Sequence, residues 1–199
     1  MIDVSIIIVN WNTKDLMLDC VASLYQTTRD AKIEIIVVDN ASTDDSVDAL
    51  RKSFPQVQII ENQKNYGFAK ANNIGIKKAQ GRYMCLVNSD VKALAGVLDN
   101  MLAYMENHSA VGALAPKIYG GDMHIQKTCR EFPTLRNICC EEFFLNKMFP
   151  KVSAFRGTDL DHNDYKTATE IEVLSGCFLM VRLEVIDQVG MLDERFFFY

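Results

Sequence analysis

Three short apolar runs, each ending in polar residues, constrain the fold of this chain more than any other feature. The runs and their endings are residues 4–9 before Asn10-Trp11-Asn12, residues 33–38 before Asp39-Asn40, and residues 83–87 before Asn88-Ser89-Asp90. Amphipathic helical patterns separate the runs. Strands that alternate with helices are typical of a largely parallel sheet with crossover helices. The sequence therefore predicts an open α/β sheet flanked by helices.

The polar endings of the three runs predict a binding site. The carboxyl ends of parallel strands meet at one edge of a sheet, and ligands of open α/β sheets bind in the crevice outside that edge. The alternative for each ending alone is that Asn or Asp caps the next helix. Three endings together favour a site, and its candidate residues are Asn10, Asn12, Asp39, Asn40, Asn88, Ser89 and Asp90.

Charge and cysteine content exclude several classes of protein. The 21 basic and 26 acidic residues give a net charge of −5, so no overall field attracts nucleic acid, and we expect no nucleic-acid partner. The six cysteines form no C-x-x-C pair, which favours buried reduced thiols in the cytosol. No stretch is long and apolar enough to span a bilayer. We therefore expect a cytoplasmic protein.

The phosphate-binding signatures that work through backbone amides are missing. No G-x-G-x-x-G follows a strand, and no glycine-rich loop ends in Gly-Lys-Ser/Thr. Asp90, at the end of a buried run, is instead a hard oxygen ligand that suits Mg²⁺ or Mn²⁺. Such a cation would bridge the protein and the oxygens of a diphosphate.

Motifs along the chain resemble those of family 2 glycosyltransferases, most closely the rhamnosyltransferase-like enzymes of bacterial surface polysaccharides. In the first half they are Val4-Ser5-Ile6-Ile7-Ile8-Val9-Asn10-Trp11-Asn12, Val37-Val38-Asp39-Asn40-Ala41-Ser42-Thr43-Asp44, Asn65-x-Gly67-Phe68-Ala69-x-Ala71-Asn72-Asn73-x-Gly75 and Asn88-Ser89-Asp90. In the second half they are Arg130-x-Phe132-Pro133-Thr134, Ser175-Gly176-Cys177-Phe178-Leu179-x-Val181-Arg182 and Val189-Gly190-x-Leu192-Asp193-Glu194-Arg195-Phe196-Phe197. Order and spacing agree over nearly the full length.

The resemblance implies a GT-A fold and an inverting transfer of a sugar, rhamnose being one candidate, from a UDP-sugar or dTDP-sugar donor to a saccharide or lipid-linked acceptor. Asp39 matches the acid that accepts a hydrogen bond from the pyrimidine ring. Asp90 matches the last acid of the family's D-x-D motif, and Asn88 replaces the first. An amide oxygen still ligates a cation but adds no charge. Asn88 and Asp90 are thus the predicted metal ligands, and Arg130, Ser175 and Gly176 are placed on the acceptor side.

A helical pattern after the third strand candidate contains residues that an ordinary helix avoids. Asn72, Asn73 and Gly75 all lower helix propensity. Close packing of the helix on the sheet is one explanation. We favour a functional explanation, in which Gly67 leaves room for the ligand and Asn73, with Asn72 beside it, binds the nucleotide or ribose. Residues that lower helix propensity next to a predicted site are often there for function.

We expect one glycosyltransferase domain, with a donor half at 1–118 and the start of an acceptor half at 119–199. In the resembling family the catalytic base lies in an acidic Glu-Asp motif just after the stretch that matches residues 196–199. We therefore expect the base to lie beyond Tyr199, in a longer protein, with Asp193 and Glu194 in turn or capping roles. The alternative is a nucleotide-sugar binding module without transferase activity. A sugar nucleotidyltransferase is disfavoured, since Asn10-Trp11-Asn12-Thr13 replaces its glycine-rich loop.

Residues 135–149 carry apolar side chains at helical spacing with basic residues nearby. A helix packed on the domain is the usual meaning of such a stripe. The alternative is an interfacial helix that docks on the inner face of the membrane, near a lipid-linked acceptor. From Lys117 to Arg156 the chain has seven basic and four acidic residues, which reverses the charge balance of the whole.

Overall fold

A six-stranded, mostly parallel sheet organises the larger of two units in the computed structural model, which describes residues 1–126, 128–149, 152 and 165–198. The spatial order is β3-β2-β1-β4-β8-β5. The strands are β1 (Val4–Asn10), β2 (Ile33–Asp39), β3 (Gln58–Glu61), β4 (Tyr83–Asn88), β5 (Ala113–Leu114) and β8 (Phe178–Arg182). The pairs among β1 to β4 are parallel, and β8 is antiparallel to β4 and β5. The predicted α/β sheet is confirmed.

The central strands are buried on both faces, which explains why their sequences are nearly continuous apolar runs. Five helices of this unit belong to the layers beside the sheet. They are α1 (Lys14–Thr27), α2 (Ser46–Ser53), α3 (Phe68–Ile76), α4 (Val97–Asn107) and α7 (Leu183–Val189). A core cluster that includes Ile7, Ile36, Val38, Ala71 and Met84 joins β1, β2, β4 and α3.

Gly75 allows α3 to approach the sheet closely. A Cβ at this position would lie 2.6 Å from Ile7 Cγ2 and 3.2 Å from Val38 Cγ2. A separation of 2.6 Å is too short for two carbon atoms, so a larger residue would push the helix away from the strands. For Gly75, the close-packing explanation of the unusual helix composition therefore accounts for the residue.

The division of the chain differs from the predicted halves at 1–118 and 119–199. The larger unit comprises residues 1–116 together with 176–199, and the second comprises 117–175. The physical reason is that β8 completes the first sheet: it pairs with β4 on one side and β5 on the other. Arg182 at its end also donates from Nε to Val111 O at 2.7 Å and from Nη1 to Tyr83 Oη at 2.9 Å. Residues 173–174 and 178–182 form two short strands that belong to different units.

The second unit contains β6 (Cys129–Arg130) paired antiparallel with β7 (Val173–Leu174), and the short helices α5 (Leu135–Glu142) and α6 (Leu145–Met148). Thr134 and Asn137 form a reciprocal capping box at the start of α5. Several large apolar side chains of the segment 135–149 are exposed: Leu135, Ile138, Phe143, Phe144, Met148 and Phe149. In the described ranges, no helix has both the length and the apolar character needed to cross a membrane.

Candidate functional site

A cleft of about 350 Å³ lies at the carboxyl ends of β1 and β4, within the larger unit. Its polar lining residues are Thr13, Asn40, Asn65, Asn88, Ser89 and Asp90. Its apolar lining residues are Val9, Trp11, Leu16, Phe68, Phe197 and Phe198, with Gly67 between the two sets. The cleft is at the edge of the sheet where the sequence places a ligand. Of the ten predicted donor-site residues, Asn40, Gly67, Asn88, Ser89 and Asp90 line it.

Asn10 and Asp39 form a buried pair below the cleft. They are direct neighbours in the register of β1 and β2, and they are 0% and 3% exposed. Asn10 Nδ2 donates to Asp39 Oδ1 at 2.8 Å, and the Ser42 backbone N–H donates to Asp39 Oδ2 at 2.8 Å. Both carboxylate oxygens therefore already accept a hydrogen bond from the protein. Neither residue is part of the cleft lining, and their contact with a ligand stays a prediction.

The turns after β1 and β2 are tied to each other by side chains. Asn12 Oδ1 accepts from the Thr43 backbone N–H at 2.7 Å, and the Asn12 backbone N–H donates to Ser42 Oγ at 2.9 Å. Asp44 Oδ2 accepts from the Lys14 backbone N–H at 2.9 Å. Asn12 therefore fixes the geometry of the two turns, and it is not part of the cleft lining.

Hydrogen bonds lower the pKa of Asp44 in this turn network. Desolvation by the surrounding turns acts in the opposite direction, but the donors Ser46 and Lys14 N–H outweigh it. The carboxylate therefore stays ionised at neutral pH, where it holds the start of α1 against the start of α2.

Asn40 joins the cleft to the loop before α3. Its Oδ1 accepts from Asn62 Nδ2 at 2.9 Å, and its Nδ2 donates to Asn65 Oδ1 at 3.1 Å and to Gly67 O at 3.3 Å. Although Asn40 is only 2% exposed, it is part of the cleft lining. Its amide is engaged with the protein, so its main effect is to shape the floor of the cleft.

Asp90 is the acidic residue of the cleft lining. Within the described residues, its carboxylate has no hydrogen-bond or ion-pair partner, and the Asn88 side chain has no hydrogen bond. Thr13 Oγ1 donates to Ser89 Oγ at 2.8 Å, which joins the turn after β1 to the turn after β4. Burial, and then the negative charge of Asp90, raise the pKa of Cys20 to about 12. The thiol below the site is therefore neutral, and Asp90 is the group that can bind a cation.

Asn72 and Asn73, predicted beside the nucleotide, are not part of the cleft lining. Asn72 Nδ2 donates to Phe68 O of the same helix at 3.0 Å. Asn73 Nδ2 donates to Leu192 O at 2.8 Å, and Asn73 Oδ1 accepts from the Leu192 backbone N–H at 3.0 Å. Both amides are therefore bound by the protein itself.

Gly67 admits the chain's own residue Phe197 where the sequence interpretation placed the ligand. A Cβ on Gly67 would overlap the Phe197 carbonyl oxygen and lie 2.7 Å from Phe197 Cδ2. The φ of Gly67 is +79°, in the region that favours glycine. Phe68 N–H also donates to Phe197 O at 2.7 Å. Gly67 still lines the cleft, but the atoms that need its missing side chain belong to the protein.

Sequence reasoning missed the aromatic lining residues Trp11, Phe68, Phe197 and Phe198. Trp11 is 52% exposed, which is unusual for the only tryptophan of the chain. A signal was available for Trp11, because it lies between two residues that the strand-end pattern selected. For Phe197 and Phe198 no local signal existed, since their place in the cleft depends on a contact with a distant helix.

Within the described part of the chain, the residues assigned to the acceptor side are not part of the cleft lining. Arg130 pairs with Val173 in the second unit, as does the adjacent Cys129 with Leu174. Ser175 belongs to the second unit and Gly176 to the first. The assignment of Arg130, Ser175 and Gly176 to an acceptor stays a prediction.

Asp193 has the turn role expected from the sequence, whereas Glu194 contacts α3 instead of serving in a turn or cap. Asp193 Oδ1 accepts from the Arg195 backbone N–H at 3.0 Å, and hydrogen bonds from the Arg195 side chain lower the pKa of Asp193 to about 2. Glu194 Oε1 accepts from Asn73 Nδ2 at 3.2 Å. Neither residue lines the cleft.

The catalytic base expected from the family resemblance is not located by the structure. The family resemblance predicts this base in an acidic motif after the stretch that matches residues 196–199, and the described residues end at Phe198. Among the described residues, Asp90 is the one carboxylate of the cleft lining, and it is the predicted metal ligand. The position of the base therefore stays a prediction.

The sequence matches the profile of the family described as Glycosyl transferase family 2 over residues 5–190, which covers most of the chain. The chain belongs to glycosyl transferase family 2. Solved structures agree on the fold. Staphylococcus aureus TarS 1-349 gives a TM-score of 0.66 at 19% identity, with 97% of this chain and 51% of that one covered. The mannosyltransferase PcManGT from Pyrobaculum calidifontis, in complex with GDP-Man and Mn²⁺, gives 0.64 at 20% identity, with 96% and 47% covered. The fold of this family 2 chain is GT-A.

Two curated relatives are bacterial glycosyltransferases. The N-acetylglucosaminyl-diphospho-decaprenol L-rhamnosyltransferase of Mycobacterium tuberculosis is 26% identical over 181 residues, which are 84% of this chain and 57% of the relative. The UDP-Glc:alpha-D-GlcNAc-diphosphoundecaprenol beta-1,3-glucosyltransferase WfaP of Escherichia coli is 31% identical over 173 residues, 81% of this chain and 67% of the relative. This family 2 chain thus spans between half and two thirds of their length.

We predict that Asn10→Ala destabilises the protein by about 1–3 kcal/mol, because the buried Asp39 carboxylate loses one of its donors. Asn88→Ala is the matched control: it truncates the same residue type at the end of the neighbouring strand, but removes no hydrogen bond within the described residues. It should change the free energy of unfolding by about 0.5 kcal/mol or less. Urea denaturation at pH 7 measures both. Equal losses for the two variants would contradict the structural role of Asn10.

Proposed function

We propose that this family 2 chain binds a nucleoside diphosphate sugar in its cleft and transfers the sugar, with inversion at the anomeric carbon, to a saccharide or lipid-linked acceptor. The observation that carries the proposal is the Asp90 carboxylate, unpaired among the described residues, in an aromatic and amide-lined cleft at the carboxyl edge of the sheet. A diphosphate needs positive charge, and no basic residue is among the cleft lining in the described part of the chain. A cation held by Asp90 supplies that charge.

The residues present suit Mg²⁺ or Mn²⁺ shared with a ligand. Mg²⁺ is usually held by one or two carboxylates together with substrate phosphates and water. Asp90 provides one carboxylate and Asn88 one amide oxygen, while no group of three His, Cys, Asp or Glu suited to a metal occurs among the described residues. We therefore propose that Asp90 and Asn88 hold the ion only together with the donor diphosphate. When bound, the ion would stabilise negative charge on the departing phosphate.

Trp11 and Asn40 favour a place for the nucleoside at the side of the cleft near β1 and β2. An exposed indole offers a flat apolar surface on which a base can stack. Asp39 lies directly before Asn40, and each carboxylate oxygen retains a lone pair after accepting one hydrogen bond. We propose that Asp39 accepts the ring N–H of uracil or thymine once the ligand is bound. The donor is then a UDP-sugar or a dTDP-sugar.

Inversion requires a base that deprotonates the acceptor hydroxyl on the face opposite the leaving group. Asp90 is assigned to the metal, and Asp193 and Glu194 are engaged with Arg195 and α3. We therefore propose that none of these three carboxylates is the base, and that the acidic motif expected from the family resemblance supplies it.

The acceptor proposal is drawn from relatives and from the surface of the second unit. Two relatives have names that state polyprenol-diphosphate acceptors. The segment 135–149 exposes Leu135, Phe143 and Met148, and residues 117–156 carry seven basic and four acidic residues. Apolar side chains beside an excess of basic charge suit an anionic lipid surface. We propose that this segment contacts the membrane at its cytoplasmic face.

For the metal, Asp90→Ala should weaken binding of UDP at least about tenfold in the presence of Mn²⁺, because the carboxylate ligand is lost. In EDTA, Asp90→Ala and the unchanged protein should bind UDP equally weakly. Asp15→Ala is the matched control, since Asp15 is an exposed acid of α1 outside the cleft lining. Calorimetric titration measures the affinities. Equal affinity of the unchanged protein in EDTA and in Mn²⁺ would refute the metal assignment.

For the nucleotide, UDP or dTDP should bind more tightly than GDP, because the two-ring guanine base would not place its ring N–H where uracil or thymine places its own relative to Asp39. Trp11 is the only tryptophan and lines the cleft, so quenching of its fluorescence reports occupancy directly. The same titration with UDP-sugars identifies the sugar that adds affinity. Tighter binding of GDP would refute the pyrimidine assignment. Quenching by a UDP-sugar without product formation would favour a binding role for residues 1–199.

For the membrane, Phe143→Glu should reduce co-flotation with vesicles of phosphatidylglycerol and phosphatidylcholine by about tenfold, since a buried apolar ring is worth about 1.5 kcal/mol or more. Val189→Glu is the control, because Val189 is 77% exposed on the other unit. If the unchanged protein fails to float with these vesicles, or if both variants lose binding equally, the segment 135–149 does not mediate the contact.

A further inference from the structure

Residues 192–198, named here the wall segment, end at the two aromatic side chains that line the cleft. Phe197 and Phe198 are both among the cleft residues, and their rings meet edge to face with centroids 5.0 Å apart. The wall segment has no strand or helix of its own. Something outside it must therefore fix its position, since an isolated extended peptide gains no stability from backbone pairing.

Three points along α3 hold the wall segment. At the far end, Asn73 makes two opposed hydrogen bonds with the Leu192 backbone, at 2.8 and 3.0 Å. One turn earlier, Lys70 Nζ lies 3.9 Å from Glu194 Oε2, while Asn73 Nδ2 donates to Glu194 Oε1 at 3.2 Å. At the helix start, Phe68 N–H donates to Phe197 O at 2.7 Å. The wall segment thus runs along the helix toward the cleft.

Of the three α3 residues that make these contacts, Asn73 is the buried one, with a relative exposure of 2%. Its amide donor and acceptor reproduce the pairing that a neighbouring β-strand would give to Leu192. The ion pair between Lys70 and Glu194 joins side chains that are 44% and 42% exposed, and such exposed pairs add little. A buried amide that loses its partner has a larger cost than an exposed one. Asn73 therefore contributes most of the free energy that holds the wall segment against α3.

We propose that Asn73 is a positioning residue for the donor site, which acts through the wall segment by setting where Phe197 and Phe198 stand in the cleft. The inference rests on the proposed function only where it concerns donor affinity. It explains why a buried amide occupies a helix position where leucine or alanine would raise helix propensity. It also explains the neighbouring glycine: Gly67 leaves room for the Phe197 backbone that Asn73 brings into place.

Asn72 offers a matched control. It is the adjacent residue on the same helix, it is 1% exposed, and its amide bonds only to Phe68 O within α3. Asn72→Ala and Asn73→Ala remove the same atoms from the same buried helix. Only Asn73→Ala releases the wall segment. Glu194→Ala is a milder variant for the case that Asn73→Ala does not fold, because the Glu194 side chain is exposed and loses both the Asn73 and Lys70 contacts.

Hydrogen exchange of the ligand-free protein tests the position of the wall segment directly. In Asn73→Ala, amides 192–198 should exchange at least about tenfold faster than in the unchanged protein, while the strand amides of β1 and β4 change little relative to Asn72→Ala. Glu194→Ala should accelerate the same amides to a smaller extent. Equal exchange of the wall segment in the Asn72 and Asn73 variants would overturn the proposal. This measurement uses no nucleotide, so it stands even if the proposed function fails.

The affinity for the donor tests whether the wall segment affects binding in the cleft. Quenching of Trp11 fluorescence by UDP and UDP-sugars measures this affinity. Asn73→Ala should weaken binding about tenfold, whereas Asn72→Ala should not. In a protein that already carries Phe197→Ala, Asn73→Ala should cause little further loss of affinity, because both substitutions act through the wall segment. Full additivity of the two substitutions would overturn the positioning role. Failure of the unchanged protein to bind any nucleotide would refute the proposed function instead, and the exchange data would still decide the attachment.

Discussion

The parallel pairing of β1 with both β2 and β4 is the constraint on which the rest of the site depends. Its register sets Asn10 opposite Asp39 and Val9 opposite Asn88, so three chain turns leave the sheet at one level. A shift of the strand register by one residue would turn every side chain of the strand to the opposite face of the sheet. The polar residues at the strand ends would then lie in the core. The apolar runs therefore fix the strands, and through them the position of each turn around the cleft.

Polar residues at this edge divide into two groups with different tasks. Asn10, Asn12, Asp39 and Asn40 are engaged with one another or with neighbouring turns, and a fully satisfied network of this kind holds a unique geometry. Asn88 and Asp90 have side chains without such partners in the described residues. The first group makes a rigid support, and the second is left available for a ligand. A polar residue at a strand end is thus not by itself evidence of ligand contact.

The sequence predicted the sheet, its edge and the cleft, because these follow from patterns within a few residues of each other. It did not anticipate the protein contacts of Asn73 and Gly67, since their partners lie in the wall segment; Asn73 and Leu192 are separated by 119 positions. The bond of Asn72 to Phe68 O is local, but the sequence does not show whether an amide inside a helix bonds to its own helix or to another group. The return of residues 178–182 to the first sheet escaped detection because a single antiparallel strand between β4 and β5 leaves no mark on the alternating pattern.

The order of β5 and β8 makes the second unit an insertion in a hairpin. Leu114 pairs with Met180 and Ala113 with Val181, so the chain departs from one strand and comes back on the strand beside it. The cost of closing a loop grows only slowly with its length. A change in the length of the inserted part therefore need not disturb the cleft, because every residue of the cleft lining belongs to the first unit.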